Sequence, residues 1–247
     1  MFVLEKFYKL KFKKGKSKLK NQIDEWNESY DNKGNFVFYP CEEIIRFVSK
    51  YIKKQVDLTN YVQKAEIGND WLDLGCGIGR HVVYGNKLGF NVHGIDLSVK
   101  AVEFARGWAE SEGVSGVNDK ILQGDISKLP WDDCKFSVIV SHGVLDSMGY
   151  DIAKQAAKEA HRVLNADGFF YCDLISGFTV DAKNEFEGEQ VVEDDHERNT
   201  IQSYFTVNKI KDLFSQYFDL KEVVLNKRED TITGANYSRY HVVMTKS

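Results

Sequence analysis

The stretch Trp71-Leu72-Asp73-Leu74-Gly75-Cys76-Gly77-Ile78-Gly79-Arg80, followed by Asn91-Val92-His93-Gly94-Ile95-Asp96, constrains this chain more than any other. A short apolar run that breaks into alternating glycines reads as a buried strand entering a tight turn. Glycine adopts left-handed backbone without steric cost and lets a ligand come close to the main chain. The second apolar run delivers a carboxylate about 20 residues further on, the spacing at which an open α/β sheet holds the ribose of an adenosine-containing cofactor. The segment therefore predicts one unit of a doubly wound sheet, with a nucleoside site at the carboxyl ends of its strands.

The rest of the chain repeats the alternation of strand and helix. Strands are predicted at Trp71 to Leu74, Asn91 to Ile95, Lys120 to Leu122, Phe136 to Val140 and Phe169 to Leu174. Helices are predicted from Arg80 to Leu88, from an N-cap at Ser98 to about Ser111, and from Ile152 to Leu164, with Asn165-Ala166-Asp167-Gly168 as a turn. A helix from Pro40 carries Ile44, Ile45, Phe47, Val48, Tyr51 and Ile52 at helical spacing. Beyond an acidic stretch (Glu185, Glu187, Glu189, Glu193, Asp194, Asp195, Glu197), a helix from Thr206 to Tyr217 and strand-like runs Leu220 to Leu225 and Tyr240 to Met244 follow.

The glycine spacing narrows the cofactor. A dinucleotide fingerprint needs G-x-G-x-x-G, its last glycine packing helix against strand. Here Arg80 stands in that place, and the segment reads D-x-G-x-G-x-G. It resembles motif I of the class I S-adenosylmethionine-dependent methyltransferases over roughly residues 70 to 175. The resemblance implies a seven-stranded, mostly parallel sheet with helices on both faces and the last strand antiparallel, and S-adenosylmethionine as cofactor. It further implies that Asp96 takes the ribose hydroxyls, that Leu97 covers one adenine face, and that Asp125 and the Ile126 amide meet the adenine edge. Gly75, Cys76 and Gly77, with Gly79 and Ser141, line the methionine side. Asp73 can accept from an ammonium group or from loop amides.

Methyl transfer asks mainly for alignment and exclusion of water, and for a base only where the acceptor must lose a proton. His142, leaving the fourth strand, is the candidate base, with Asp146 four residues on as its orienting partner. Ser141-His142-Gly143-Val144 stands where amino-methyltransferases of nucleic acids carry an Asn/Asp-Pro-Pro-Tyr type motif, so base amines are disfavoured as acceptors. The reading is transfer to an oxygen or nitrogen of a small-molecule or biosynthetic intermediate. The alternatives are an RNA or protein methyltransferase and a non-catalytic binding module.

Composition sets the remaining bounds. With 33 Lys+Arg against 37 Asp+Glu, the net charge of -4 gives no global attraction for nucleic acid. Locally, Lys9, Lys11, Lys13, Lys14, Lys16, Lys18 and Lys20 form an arm suited to peripheral contact with anionic surfaces. Residues 1–39 are expected to be this extension and a lid carrying Trp26, Tyr30, Phe38 and Tyr39, and residues 40–247 the catalytic domain. Cys41, Cys76, Cys134 and Cys172 lack C-x-x-C spacing, and the chain shows no leader pattern and no apolar run of about 20 residues. The expectation is a cytoplasmic protein without disulfides, metal or membrane span.

Overall fold

The computed structural model of the chain describes residues 22–31, 33, 35–178, 187–193 and 199–247. The lysine arm and Glu185, Asp194, Asp195 and Glu197 lie outside the described residues. Helix α1 spans 22–31. Helix α2 (Glu42–Phe47) continues into a wider π turn at Val48–Ile52, followed by β1 (Lys53–Gln55), β2 (Tyr61–Gln63), β3 (Asp70–Leu74), α3 (Arg80–Lys87), β4 (Asn91–Asp96) and α4 (Val99–Ser111). Then come α5 (Val117–Lys120), β5 (Ile121–Gln123), β6 (Phe136–Ser141), α6 (Tyr150–Val163), β7 (Leu164–Ile175), β8 (Glu189–Val191) and β9 (Ile201–Ser203). Helix α7 (Val207–Phe214), β10 (Phe218–Glu229) and β11 (Asn236–Lys246) complete the fold.

Seven strands form one sheet in the order β10-β11-β7-β6-β3-β4-β5. The pairs among β3 to β7 are parallel, and β11 runs antiparallel to both β7 and β10. The chain winds outward from β3 through β4 to β5, then returns to lay β6 on the other side of β3. That reversal opens a crevice at the carboxyl ends of β3 and β6, where such sheets bind ligands.

Period-two alternation sorts side chains onto two faces. Leu72 and Leu74 of β3 pack with Ala153, Ala156, Ala157 and Ala160 of α6 and with Ile210, Leu213 and Phe214 of α7. Trp71 joins the opposite core with Ile44 and Phe47 of α2, Val82 of α3, and Val102, Ala105 and Ala109 of α4. The small residues of α6 bring that helix close to the sheet. Trp71 is fully buried, and its truncation to Ala would cost about 3–5 kcal/mol. Side-chain caps close two helix starts, Ser98 Oγ accepting from the Ala101 N–H and Thr206 Oγ1 from the Lys209 N–H.

Two local expectations change. Asn165-Ala166-Asp167-Gly168 is not a free turn but a bulge inside β7: pairing with β6 jumps from Phe136–Leu164 to Val138–Phe169, so those four residues stand opposite Ser137 alone. Asn165 Nδ2 donates to Ser137 Oγ at 2.9 Å and fastens the bulge. The ribbons β1–β2 and β8–β9 were not anticipated, because Lys53–Gln55 and Glu189–Val191 are short, polar and without apolar alternation.

Candidate functional site

The glycine loop is built by backbone geometry. Gly75, Gly77 and Gly79 have φ of +77°, +51° and +92°. A Cβ on Gly75 would stand 2.4 Å from Val144 Cγ2, and one on Gly77 2.7 Å from the Tyr30 hydroxyl. The N–H groups of Gly75 and Cys76 both donate to the Ile95 carbonyl, at 2.8 and 2.9 Å, and lash the loop to β4. Cys76 is 4% exposed, and burial pushes its thiol well above the usual range, which makes it a packing group rather than a nucleophile.

At the end of β4, Asp96 is oriented by two main-chain donors. Gly77 N–H meets Oδ2 at 2.8 Å and Ser98 N–H meets Oδ1 at 2.9 Å. Each oxygen keeps a lone pair for a further hydroxyl donor. Burial pushes this carboxyl up to about 6, against the lowering effect of the two N–H groups. Asp125 accepts from the Ser127 N–H through Oδ1 at 2.8 Å. Asp73 lies beneath the loop, 1% exposed, and neither of its oxygens has a hydrogen-bond partner; the nearest cationisable atom, His81 Nδ1, is 3.8 Å away. His81 Nε2 accepts from the Cys41 N–H at 3.2 Å, so the proton of this neutral ring belongs on Nδ1, facing Asp73.

The opposite end of the crevice carries Arg80 and His142, backed by a buried ion network. Arg80, the first residue of α3, donates from Nη2 to His142 Nδ1 at 2.9 Å. An arginine has no lone pair to offer, so His142 carries its proton on Nε2, which faces Asp173 Oδ2 at 3.4 Å. Burial, with help from Arg80, drives the imidazolium of His142 down to about 3 despite the pull of Asp173. Asp173 accepts from the Gly143 N–H at 2.7 Å and meets Arg239 Nε at 2.7 Å. Asp146 lies on the other side of that guanidinium, accepting through Oδ2 from Arg239 Nη2 at 2.5 Å and from the Ile175 N–H at 2.7 Å. Burial raises both acids; Arg239, with His142, reverses this at Asp173, while Asp146 stays raised.

A cavity of about 670 Å³ joins the two ends, within the usual range of about 300–1,000 Å³ for small-ligand sites. Gly75, Cys76, Gly77, Asp96, Leu97, Asp125, Ile126 and His142 line it, as do Trp26 and Tyr30 of α1, which is tied down by the Ser98 hydroxyl donating to Asn27 Oδ1 at 2.7 Å. Asp73 and Gly79 lie below its wall, Gly79 with its Cβ position 3.0 Å from Ala105. Ser141 also lies off the cavity: it is 1% exposed and paired with Cys172 across the β6–β7 ladder, because it is the last strand residue rather than the first loop residue.

The expected His142–Asp146 pair is corrected. Asp146 is fully buried against Arg239, and the carboxylate at His142 is Asp173. His142 has Nδ1 occupied by Arg80 and a proton on Nε2, so in this arrangement it has no lone pair to act as the expected base. Sequence reasoning noted Arg80 only as a missing glycine and overlooked His81 and Arg239. Arg239 gives no local signal, since 93 residues separate it from Asp146. Among the described residues no group of His, Cys, Asp or Glu could hold a metal, and no helix is long and apolar enough to cross a membrane.

The residues present fit S-adenosylmethionine. The orphaned, buried oxygens of Asp73 suit an ammonium donor, Asp96 is set to receive two hydroxyls, and the glycine cradle admits a ligand where a Cβ would not fit.

Residues 72–172 match the protein family described as a methyltransferase domain. Over 147 residues the chain is 33% identical to human EEF1A lysine methyltransferase 2, covering 56% of this chain and 61% of that protein. Over 159 residues it is 24% identical to 2-heptyl-1-hydroxyquinolin-4(1H)-one methyltransferase of Mycobacteroides abscessus, covering 63% and 67%. The match thus spans about two thirds or less of these relatives' lengths. A SAM-dependent methyltransferase structure from Methanosarcina mazei shares the fold, with a TM-score of 0.61 at 19% identity over 84% of this chain and 98% of that one.

Proposed function

Because this chain belongs to the class I S-adenosylmethionine-dependent methyltransferases, we propose that it transfers the methyl group to an oxygen or nitrogen of a small organic acceptor. The cofactor supplies a methyl group on a sulfonium whose positive charge disappears as the acceptor attacks. In this reading Asp96 holds the ribose, Leu97 covers one adenine face, Asp125 takes the adenine amino group, the Ile126 N–H donates to a ring nitrogen and Asp73 receives the ammonium. Fixing the reactants in line is the main contribution asked of the protein.

The observation that carries the acceptor class is the lining of the cavity. Trp26 and Tyr30 of α1 lie along it with Val37, Val144, Met148 and Ile152, which give it apolar walls. That shape favours a compact molecule over a protein segment or a nucleic-acid strand. We treat residues 1–39 as an extension ending in a lid, residues 40–247 as the catalytic unit, and the cytoplasm as the place of action.

A protein acceptor is the second reading, favoured by the identity to EEF1A lysine methyltransferase 2. Incubation of the protein with tritium-labelled S-adenosylmethionine and a whole-cell extract, followed by dialysis, separates the two. A labelled dialysable product distinct from S-adenosylmethionine, resolved by chromatography and absent without the protein, is the expected outcome, and protein-dependent label retained on protein overturns the small-molecule reading. Absence of any S-adenosylhomocysteine would leave a binding module without transfer activity.

A further inference from the structure

We propose that the acceptor is an organic acid and that Arg80 recognises its carboxylate. The proposal deepens the methyl-transfer reading and rests on it.

Arg80 lines the cavity, and among the described residues no carboxylate comes within ion-pair distance of it. Among the described residues its side chain makes one hydrogen bond, to His142 Nδ1. Four other arginines are paired: Arg46 with Glu42, Arg162 with Glu159 and Asp133, Arg239 with Asp146 and Asp173, and Arg106 with the Ile121 and Asn118 carbonyls, while Arg228 lies exposed on β10, away from the cavity. A guanidinium offers five N–H donors in a planar fork, so most of Arg80's capacity faces the cavity unused.

The group is also held in place. Gly79 in its left-handed conformation starts α3 and sets Arg80 at the first helical position. His142, a neutral ring, fixes one Nη and is itself backed by Asp173, which Arg239 and the Gly143 N–H restrain. The imidazole stands between Arg80 and Asp173 and keeps that carboxylate from claiming the guanidinium. A cation held this way has already lost its rotamer freedom, so a ligand meets a smaller ordering cost.

Charge across the cavity gives the acceptor one orientation. Asp96 and Asp125 repel an acid from the far end, while Arg80 and the positive end of α3 attract it. The remainder of the molecule then lies along Met148 and Ile152. Among the described residues the lining includes one arginine and no lysine, which matches a singly charged planar carboxylate better than a phosphate dianion. An acid also suits a cavity in which His142 offers no lone pair, because a carboxylate arrives already deprotonated.

Calorimetry on the full chain saturated with S-adenosylhomocysteine, titrated at neutral pH with octanoate and with octanamide, tests this. Octanoate is expected to bind at least tenfold more tightly than its neutral isostere, the scale of one charge-assisted hydrogen bond. Arg80→Gln should abolish that difference, Arg80→Lys should keep part of it, and both should bind S-adenosylhomocysteine within about twofold of the parent. Equal affinity for acid and amide in the parent, including no binding of either, overturns the proposal. So does a tenfold or greater loss of S-adenosylhomocysteine affinity in Arg80→Gln, which would assign the guanidinium to the cofactor's own carboxylate. Failure of the parent to bind S-adenosylhomocysteine at all would instead count against the methyl-transfer reading, and the octanoate comparison would still be read on the protein alone.

Discussion

Asp96 and His142 stand at opposite ends of one cavity and are held there by different means. Asp96 is placed by main chain: the Gly77 and Ser98 N–H groups come from 19 residues before it and two residues after it, and the loop that carries Gly77 is lashed to Ile95 beside it. His142 is placed by side chains gathered from α3, β7 and β11, through Arg80, Asp173 and Arg239. A site made of backbone needs a few residues at fixed spacing. A site made of a buried ion network needs several distant positions to agree, and it can be exchanged without disturbing the first.

The largest test of that division is Arg239→Leu. It leaves Asp146 and Asp173 buried without their shared cation, which should cost about 3–5 kcal/mol. Thermal unfolding should then fall by roughly 6–20 °C, at about 2–4 °C per kcal/mol for a chain of this size. The folded fraction should still bind S-adenosylhomocysteine; parallel loss of affinity would show that the two ends are one unit.

Gly75→Ala attacks the other end. Forcing a Cβ at φ +77° costs on the order of 1–3 kcal/mol in backbone strain, to which contact with Val144 adds. Calorimetry should show S-adenosylhomocysteine affinity down by roughly a hundredfold, equivalent to about 2.7 kcal/mol. Adding Val144→Ala should restore the steric part and leave the strain.

Asp96→Asn sharpens the picture by charge alone. Losing bonds to an ionised acceptor should weaken S-adenosylhomocysteine binding by about 1.5–3 kcal/mol with little change in thermal unfolding. Because burial sets this carboxyl near 6, and hydroxyl donors favour the ionised form, parent affinity should hold above pH 6 and decline as pH falls through it. The decline approaches about tenfold per pH unit, and the Asn variant should lack it.

His142→Gln is expected to have the smallest effect. Removing a working general base costs about 10²–10⁴ in rate, whereas here turnover should change by less than about tenfold. The pH–rate profile should show no imidazole limb between about pH 5 and 8. A loss of the larger size would restore the base role to this residue.

The same division decides what could be read from the sequence. Asp73, Gly75, Gly77, Asp96 and Asp125 lie at or near strand ends at a spacing that backbone geometry imposes, and the mostly parallel sheet with its last strand antiparallel came with the motif they resemble. Ser141 was misplaced by one residue of strand length. Asp146 was paired with His142 on sequence proximity, which says nothing about direction: the carboxylate turns inward to the Ile175 N–H and Arg239. Arg239, in a strand of mixed polar and apolar residues, has no neighbour in sequence that marks it. The bulge at Asn165 to Gly168 carries the composition of a turn and the hydrogen bonding of a strand edge, and only the ladder with β6 tells them apart.

The position of β11 bears on the order in which the molecule becomes complete. Among the described elements it leaves the ribosome last, yet it lies between β7 and β10 rather than at an edge. Every strand that builds the nucleoside end has been synthesised more than 100 residues earlier in the case of β3 to β5. Arg239 arrives only with β11, so until that strand is seated, Asp146 and Asp173 have no guanidinium between them. Among the described elements, the ion network behind His142 is therefore the last part of the cavity's surroundings to be completed.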